Sequence, residues 1–174
     1  NGRIAMIKRF VTLIFALLLS ALSGCTIKYS FSGASIPEQA RTLSVGYFRN
    51  RAPSVQPTLS STFTDRLKEY LVNNSNLNLI DGFADLQFTG EITGYSVNPT
   101  SIQSDDKAAM NRLTITVQVR YVNRFDAKSN FSQSFSRYRD YDANLSLSSV
   151  ESGLIEEITE ELVDDIYQRA FVNW

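Results

Sequence analysis

Residues 112–121 read RLTITVQVRY and give the clearest structural signal in the chain. The apolar residues of this stretch occupy every second position, at Leu113, Ile115, Val117, Val119 and Tyr121. A period of two places successive side chains on opposite faces of a β-strand. The stretch therefore predicts a long strand with one face in a hydrophobic core and one polar face.

Further strands are predicted on both sides of this one. Leu43, Val45 and Tyr47 alternate with small polar residues and predict a first strand in which these three side chains face the core. Residues 77–79 indicate a short strand, and residues 130–140 have β character with an irregular phase. With the strand that begins at Leu86, the sheet is expected to contain four to five strands.

The strand that begins at Leu86 carries Gly90 and Gly94, both expected on its inward face. Two readings of these glycines are open. Their missing side chains would let a helix approach the sheet closely, and a β-bulge explains them equally well.

Two amphipathic helices complete the fold. Apolar residues at spacings of three and four predict a helix over residues 58–73. A second helix is expected to start with a capping box formed by Ser148 and Glu151. Its apolar row is Val150, Leu154, Ile158, Leu162, Ile166 and Ala170. The order of the elements predicts an α+β two-layer sandwich, with a mixed sheet and two helices on one face.

The first 24 residues are predicted to be a signal peptide, with residues 1–5 as an upstream extension. Basic residues at Lys8 and Arg9 precede a short apolar run and then small residues, which is the order of a secretory signal. Leu22-Ser23-Gly24-Cys25 resembles the lipobox of bacterial lipoproteins, where the Cys carries the lipid, whereas the alternative is a buried or free thiol. Residues 25–40 are then the lipidated Cys and a tether, and residues 41–174 are a single domain.

The sorting of this lipoprotein is suggested by the residue after the Cys. An Asp there commonly retains a lipoprotein at the inner membrane, and this chain has Thr26 instead. We therefore expect a lipid-anchored protein on the periplasmic face of the outer membrane.

Composition excludes many common activities. The chain has 174 residues, 17 Lys and Arg against 18 Asp and Glu, no His and a single Cys. Without His there is no imidazole base and no His-ligated metal, and one Cys cannot build a multi-Cys zinc site. The balanced charge also disfavours nucleic acid as a partner. We expect no enzyme activity, cofactor or metal, although an enzyme that uses only carboxylates stays possible.

The last helix has a strongly acidic face. Its acids are Glu156, Glu157, Glu160, Glu161, Asp164 and Asp165. Like charges at a spacing of four residues repel each other. The sequence favours a simple solvated face, and a nearby basic surface or a cation that would stabilise this helix is the alternative.

Cationic residues are the candidate binding residues. They are Arg49, Arg51, Lys107, Arg112, Arg137 and Arg139. Arginine holds phosphates and carboxylates through its planar fork. With aromatic residues close in sequence, this set suits an amphiphile with acidic head groups. The alternative is solubility charge scattered over a sheet face.

The chain as a whole resembles the LptE family of lipopolysaccharide-assembly lipoproteins, in its compact, divergent branch. The resemblance rests on the lipobox, on Arg49-Asn50-Arg51-Ala52-Pro53, on residues 86–95 (LQFTGEITGY) and on Asn111-Arg112-Leu113-Thr114-Ile115. It implies a sheet with two helices on one side. It also implies a protein that plugs the LptD β-barrel, helps to assemble it and binds lipopolysaccharide during transport to the cell surface. A pilot or scaffold lipoprotein for another envelope machine is the alternative.

Overall fold

The stretch that predicts the central strand lies in β5 (Met110–Asn123), in a computed structural model that describes residues 36–54, 56–100 and 109–172. β5 pairs antiparallel with β4 (Leu86–Pro99) on one side and with β6 (Phe131–Asp142) on the other. A short 3₁₀ turn, Ala127–Ser129, joins β5 to β6. These three long strands form the antiparallel half of the sheet.

The other half of the sheet is parallel and consists of short strands. β1 (Thr42–Val45) and β2 (Arg49–Asn50) pair with successive parts of β4, and β3 (Asn78–Leu79) pairs with β1. The sheet therefore has six strands in the order β3-β1-β4-β5-β6, with β2 also beside β4. The predicted count of four to five is slightly low because β2 contains only two residues, too few to show the alternation that predicts a strand.

The described residues contain two α-helices, α1 (Leu59–Asn73) and α2 (Leu147–Phe171). Both pack on the same face of the sheet, α1 over the parallel strands and α2 over β5 and β6, and they contact each other. The predicted two-layer α+β sandwich is confirmed. None of the helices in the described ranges is long and apolar enough to cross a membrane.

The first strand is shorter than its alternation predicts. Tyr47 was expected to face the core, but 60% of its surface is exposed, whereas Phe48 is fully buried. The chain leaves β1 after Val45, and this break shifts the inward phase by one residue. Phe48 then packs edge-on against Phe63 of α1, with ring centroids 5.1 Å apart.

Gly90 provides the space for Phe48. A Cβ atom at this position would lie 2.6 Å from Cε1 of Phe48 and would also collide with the backbone carbonyl of Gln118. The glycine thus lets an aromatic side chain, and through it α1, approach the sheet. This result supports the first of the two readings for Gly90.

Gly94 has a different role. The register of β4 against β5 shifts between Ile92 and Gly94, which marks a β-bulge. Because of this shift, Gly94 lies beside the side chain of Thr116 on the helix-free face, so its expected inward position was wrong. The bulge brings Tyr95 inward instead, where only 7% of it is exposed.

The start of α2 also differs from the prediction. The helix begins at Leu147 with Ser146 as its N-cap residue, and no side chain caps it. Glu151 does not reach back to Ser148, because its carboxylate accepts a hydrogen bond from the hydroxyl of Tyr95. The glutamate joins the helix to the bulged strand, and burial together with this bond raises the pKa of Tyr95 above its ordinary value.

Candidate functional site

The helix-free face of the sheet is polar across the three long strands. We call it the open face, and its central side chains are Ser96, Thr114, Thr116, Gln118, Ser132, Ser134 and Ser136. Thr116 Oγ1 and Ser136 Oγ lie 3.0 Å apart, and Gln118 donates to Ser132 Oγ over 3.1 Å. Such a surface offers hydroxyl and amide groups to a polar partner and has little apolar area to bury.

Arg112 lies on this open face, near the start of β5. Its guanidinium donates to both carboxylate oxygens of Asp140, with distances of 2.7 and 2.8 Å, and stacks 3.7 Å above the ring of Tyr138. The ion pair lowers the pKa of Asp140. Arg112 is thereby fixed in orientation, while its remaining N–H groups make no hydrogen bond within the described ranges and can bind a further acceptor.

Arg49 and Arg51 lie at the edge of the sheet, in β2 and just after it. Arg49 is in register with Glu91, whose side chain is on the open face, and Arg51 donates its backbone N–H to Ile92. Both arginines are exposed, and neither guanidinium has an ion-pair or hydrogen-bond partner in the described part of the chain. They are available cations next to the polar surface.

Arg120 is a further cation on the polar face that the alternation of β5 predicts. It lies on the open face between Thr89 and Ser132, and it is exposed. Alternation along β5 predicts that Arg120 lies on the same face as Arg112. Only the register with the neighbouring strands shows that Arg120 shares a surface with Arg49.

Arg137 and Arg139 face the helix layer instead of the open face. Arg137 binds both oxygens of Asp165 at 2.6 Å, and Arg139 bridges Glu157 and Glu161 at 2.8 and 2.7 Å. Two residues along a strand span about 7 Å, and four residues along a helix span about 6 Å. The spacing of the arginines on β6 therefore matches the spacing of the carboxylates on α2. The ion pairs lower the pKa of Glu161 and raise that of Arg137.

These pairs give the acidic face of α2 a basic partner, so it is not the simple solvated face that the sequence favours. They also explain the irregular phase of the last strand, since arginines occupy inward positions where apolar residues would be expected. Tyr138, in contrast, faces outward with 48% of its surface exposed.

A groove of about 370 Å³ separates the exposed sides of α1 and α2. Glu69 and Glu160 both lie in it, and both are bound by Arg66, which donates to Glu69 over 3.1 Å. The two carboxylates therefore act as partners of a single guanidinium and do not form an isolated acid–base pair.

Two of the predicted site residues, Cys25 and Lys107, lie outside the described residues. So do the signal peptide, most of the tether and residues 101–108 between β4 and β5. In residues 36–54, 56–100 and 109–172 there is no cluster of three acidic, His or Cys side chains suited to a metal ion.

Several solved structures resemble this chain. A hypothetical protein from Chlamydia trachomatis aligns with a TM-score of 0.53 and 11% identity, over 77% of this chain and 99% of its own. Rare lipoprotein B from Shewanella oneidensis has a TM-score of 0.44 and 18% identity, over 74% and 92%. A minor lipoprotein from Acinetobacter baumannii gives 0.46 and 18%, over 75% and 90%. The Chlamydia match supports the fold alone. No curated protein sequence matches the chain.

The fold and the surfaces define a two-layer α+β domain that offers polar and cationic side chains for noncovalent contacts. The model of the LptE family, described as lipopolysaccharide-assembly, matches residues 40–170. The chain belongs to the LptE family, as its sequence motifs predict, and is thereby a member of a lipopolysaccharide-assembly family.

Proposed function

We propose that this protein is a lipoprotein of the outer membrane that sits inside an LptD-type β-barrel and binds lipopolysaccharide on its way to the cell surface. In this proposal Cys25 carries the lipid, on the periplasmic side of the membrane. The family match over residues 40–170 is the observation that carries the proposal. Binding and release of lipid require no covalent chemistry.

The open face supports the role of a plug. A protein inside a large barrel is surrounded by polar lumen side chains. The hydroxyl and amide groups of the three long strands can exchange hydrogen bonds with such a lumen at many points. The helices keep their apolar sides against the sheet, so the domain needs no apolar cover from the barrel.

The cations differ in how well they suit lipopolysaccharide. Arg49 and Arg51 are exposed and have no ion-pair partner in the described part of the chain, so they can bind a phosphate without losing an existing bond. Arg112 can contribute its spare N–H groups while Asp140 holds it in place. Arg137 and Arg139 would have to leave their carboxylates on α2, which makes them weaker candidates. Lys107 remains a candidate for binding lipopolysaccharide.

Lipopolysaccharide binding by the full-length protein in mild detergent tests this part of the proposal. The Arg49→Gln/Arg51→Gln double variant should lose about tenfold in affinity, because each arginine contributes a charge-assisted contact. Arg66→Gln is the matched control, since it also removes an arginine but lies on the helix layer. Equal losses in the two proteins at the same ionic strength would remove the sheet edge from the binding site.

A further inference from the structure

One end of the domain exposes two phenylalanines on neighbouring turns. Phe83 is 73% exposed in the loop between β3 and β4, and Phe125 is 45% exposed in the turn between β5 and β6. Ile80, in the same loop as Phe83, is 37% exposed. Large apolar side chains exposed this far require an explanation when several occur together.

Backbone and side-chain contacts hold these turns side by side. The backbone N–H of Arg124 donates to the carbonyl of Asp85 over 3.0 Å, and its guanidinium lies 5.2 Å above the ring of Phe83. Gly82 has a φ of 83°, a left-handed conformation that glycine adopts readily and that turns the loop just before Phe83. We call Ile80, Phe83, Arg124 and Phe125 the tip patch.

The amino-terminal segment joins the domain at this same end. Oδ2 of Asp85 accepts hydrogen bonds from the N–H groups of Arg41 and Thr42, at 3.0 and 3.1 Å. Asp85 is thus shared by the start of β1 and the loop that carries Phe83. Cys25 lies eleven positions before Ile36. The chain between them can reach at most about 40 Å.

We propose that the tip patch docks on the bilayer that holds the lipid anchor, with Phe83 and Phe125 inserted at the boundary between head groups and acyl chains. This inference rests on the proposed lipidation of Cys25. Exposed phenylalanines on an otherwise polar end are suited to this depth of the membrane. Docking here would hold the lipid-anchored domain in one orientation on the membrane.

The charges around the tip patch agree with a phospholipid surface. Arg124 and Lys128 are exposed there, and so are Asp81 and Asp126. Phospholipid head groups such as phosphatidylethanolamine carry both a phosphate and an ammonium group and can pair with either sign. The patch is also small and protruding, whereas a protein partner of high affinity needs a larger continuous area.

A tryptophan reporter tests the docking directly. Trp174 is the single Trp of the chain, so Trp174→Phe gives a background without indole. In that background, Phe83→Trp places a reporter in the tip patch, and Tyr138→Trp places a matched one at an exposed aromatic position on the open face. The full-length lipidated proteins are reconstituted on phosphatidylethanolamine and phosphatidylglycerol vesicles with brominated acyl chains.

Emission of the Phe83→Trp protein should shift to the blue and fall at least about twofold with brominated chains, because bromine quenches an indole at the acyl boundary. The Tyr138→Trp protein should show neither effect. Phe125→Trp is a second reporter if the first variant unfolds.

Vesicle flotation separates the possible failures. A protein that floats with the vesicles but leaves the reporters at both positions 83 and 125 unquenched would overturn the docking and leave the proposed function intact. A wild-type protein that does not float would overturn the lipid anchor, and the docking with it. The vesicles contain no barrel, so neither result depends on the LptD-type partner.

Discussion

Arg137 in β6 and Asp165 in α2 form a two-point ion pair in which both nitrogen–oxygen distances are 2.6 Å. The pair lies at the outer edge of the sheet, where β6 has no further strand beside it in the described residues. With the neighbouring Arg139, it ties the edge strand to the long helix at three carboxylates. The acidic row of α2 is therefore one half of an intramolecular contact.

This contact predicts a moderate, salt-dependent contribution to stability. The Arg137→Gln/Arg139→Gln variant should lower the free energy of unfolding by about 1 kcal/mol at low salt, since the pairs are partly exposed and each is worth a fraction of that. The loss should shrink in high salt, which screens exposed charges. Urea unfolding at two ionic strengths measures it.

Arg120→Gln serves as the control for this experiment, because Arg120 is exposed on the open face and makes no ion pair within the described ranges. Its free energy of unfolding should stay within about 0.5 kcal/mol of wild type. Equal losses of unfolding free energy in Arg120→Gln and in the double variant would contradict a stabilising contact between β6 and the acidic residues of α2.

A pair of glycine substitutions tests the packing of Phe48 on the sheet. Gly90→Ala should cost about 3 kcal/mol, because the new methyl group would collide with both the ring of Phe48 and the backbone of β5. Gly153→Ala should instead stabilise the protein by about 0.5–1 kcal/mol, since its site in α2 is open and alanine favours the helix. Thermal unfolding of the two variants should move in opposite directions. A tolerated Gly90→Ala change would contradict the close contact.

Low pH should lower the free energy of unfolding, partly because Asp85 becomes protonated. Hydrogen bonds from the backbone of Arg41 and from Thr42 hold the pKa of this carboxyl below its ordinary value of 3.8. Because the folded pKa is the lower one, the contribution to stability is complete above pH 3.8 and is lost as the pH falls through the folded pKa.

Asp85→Asn removes this titration, so the variant should be less stable than wild type at neutral pH and should lose less on acidification. Urea unfolding across the acidic range, with both proteins at one ionic strength, makes the comparison. Parallel pH profiles would mean that Asp85 has the same pKa in the folded and unfolded protein. Asp140 and Glu161, whose pKa values are also lowered, titrate in both proteins and cancel.

The sequence predicted the elements whose periodicity is uninterrupted. β5 and α1 were found close to their expected bounds because their apolar residues keep one period from end to end. The inward and outward positions predicted from alternation were wrong where the chain leaves a regular strand. Tyr47 was placed inward because nothing in the sequence reveals the break after Val45, and Gly94 because a bulge cannot be seen from spacing alone.

The sequence could not predict which charged residues form ion pairs, for a different reason. An arginine that binds a ligand and one that binds Asp165 are the same residue type in a strand of the same composition. Only the packing of α2 over β6 separates Arg137 and Arg139 from Arg49 and Arg51, which form no ion pair with any described residue. The acidic face left a basic partner open as an alternative, and it did not indicate which strand would supply that partner.

Co-purification with an outer-membrane β-barrel tests the central claim most directly. The full-length lipidated protein, tagged after Trp174, is extracted from its own membranes in mild detergent, and the proteins bound to it are identified and quantified by mass spectrometry. The account predicts one large LptD-type barrel in a one-to-one ratio with the tagged protein. Recovery of a different envelope complex with no such barrel would contradict it and would favour a pilot or scaffold role.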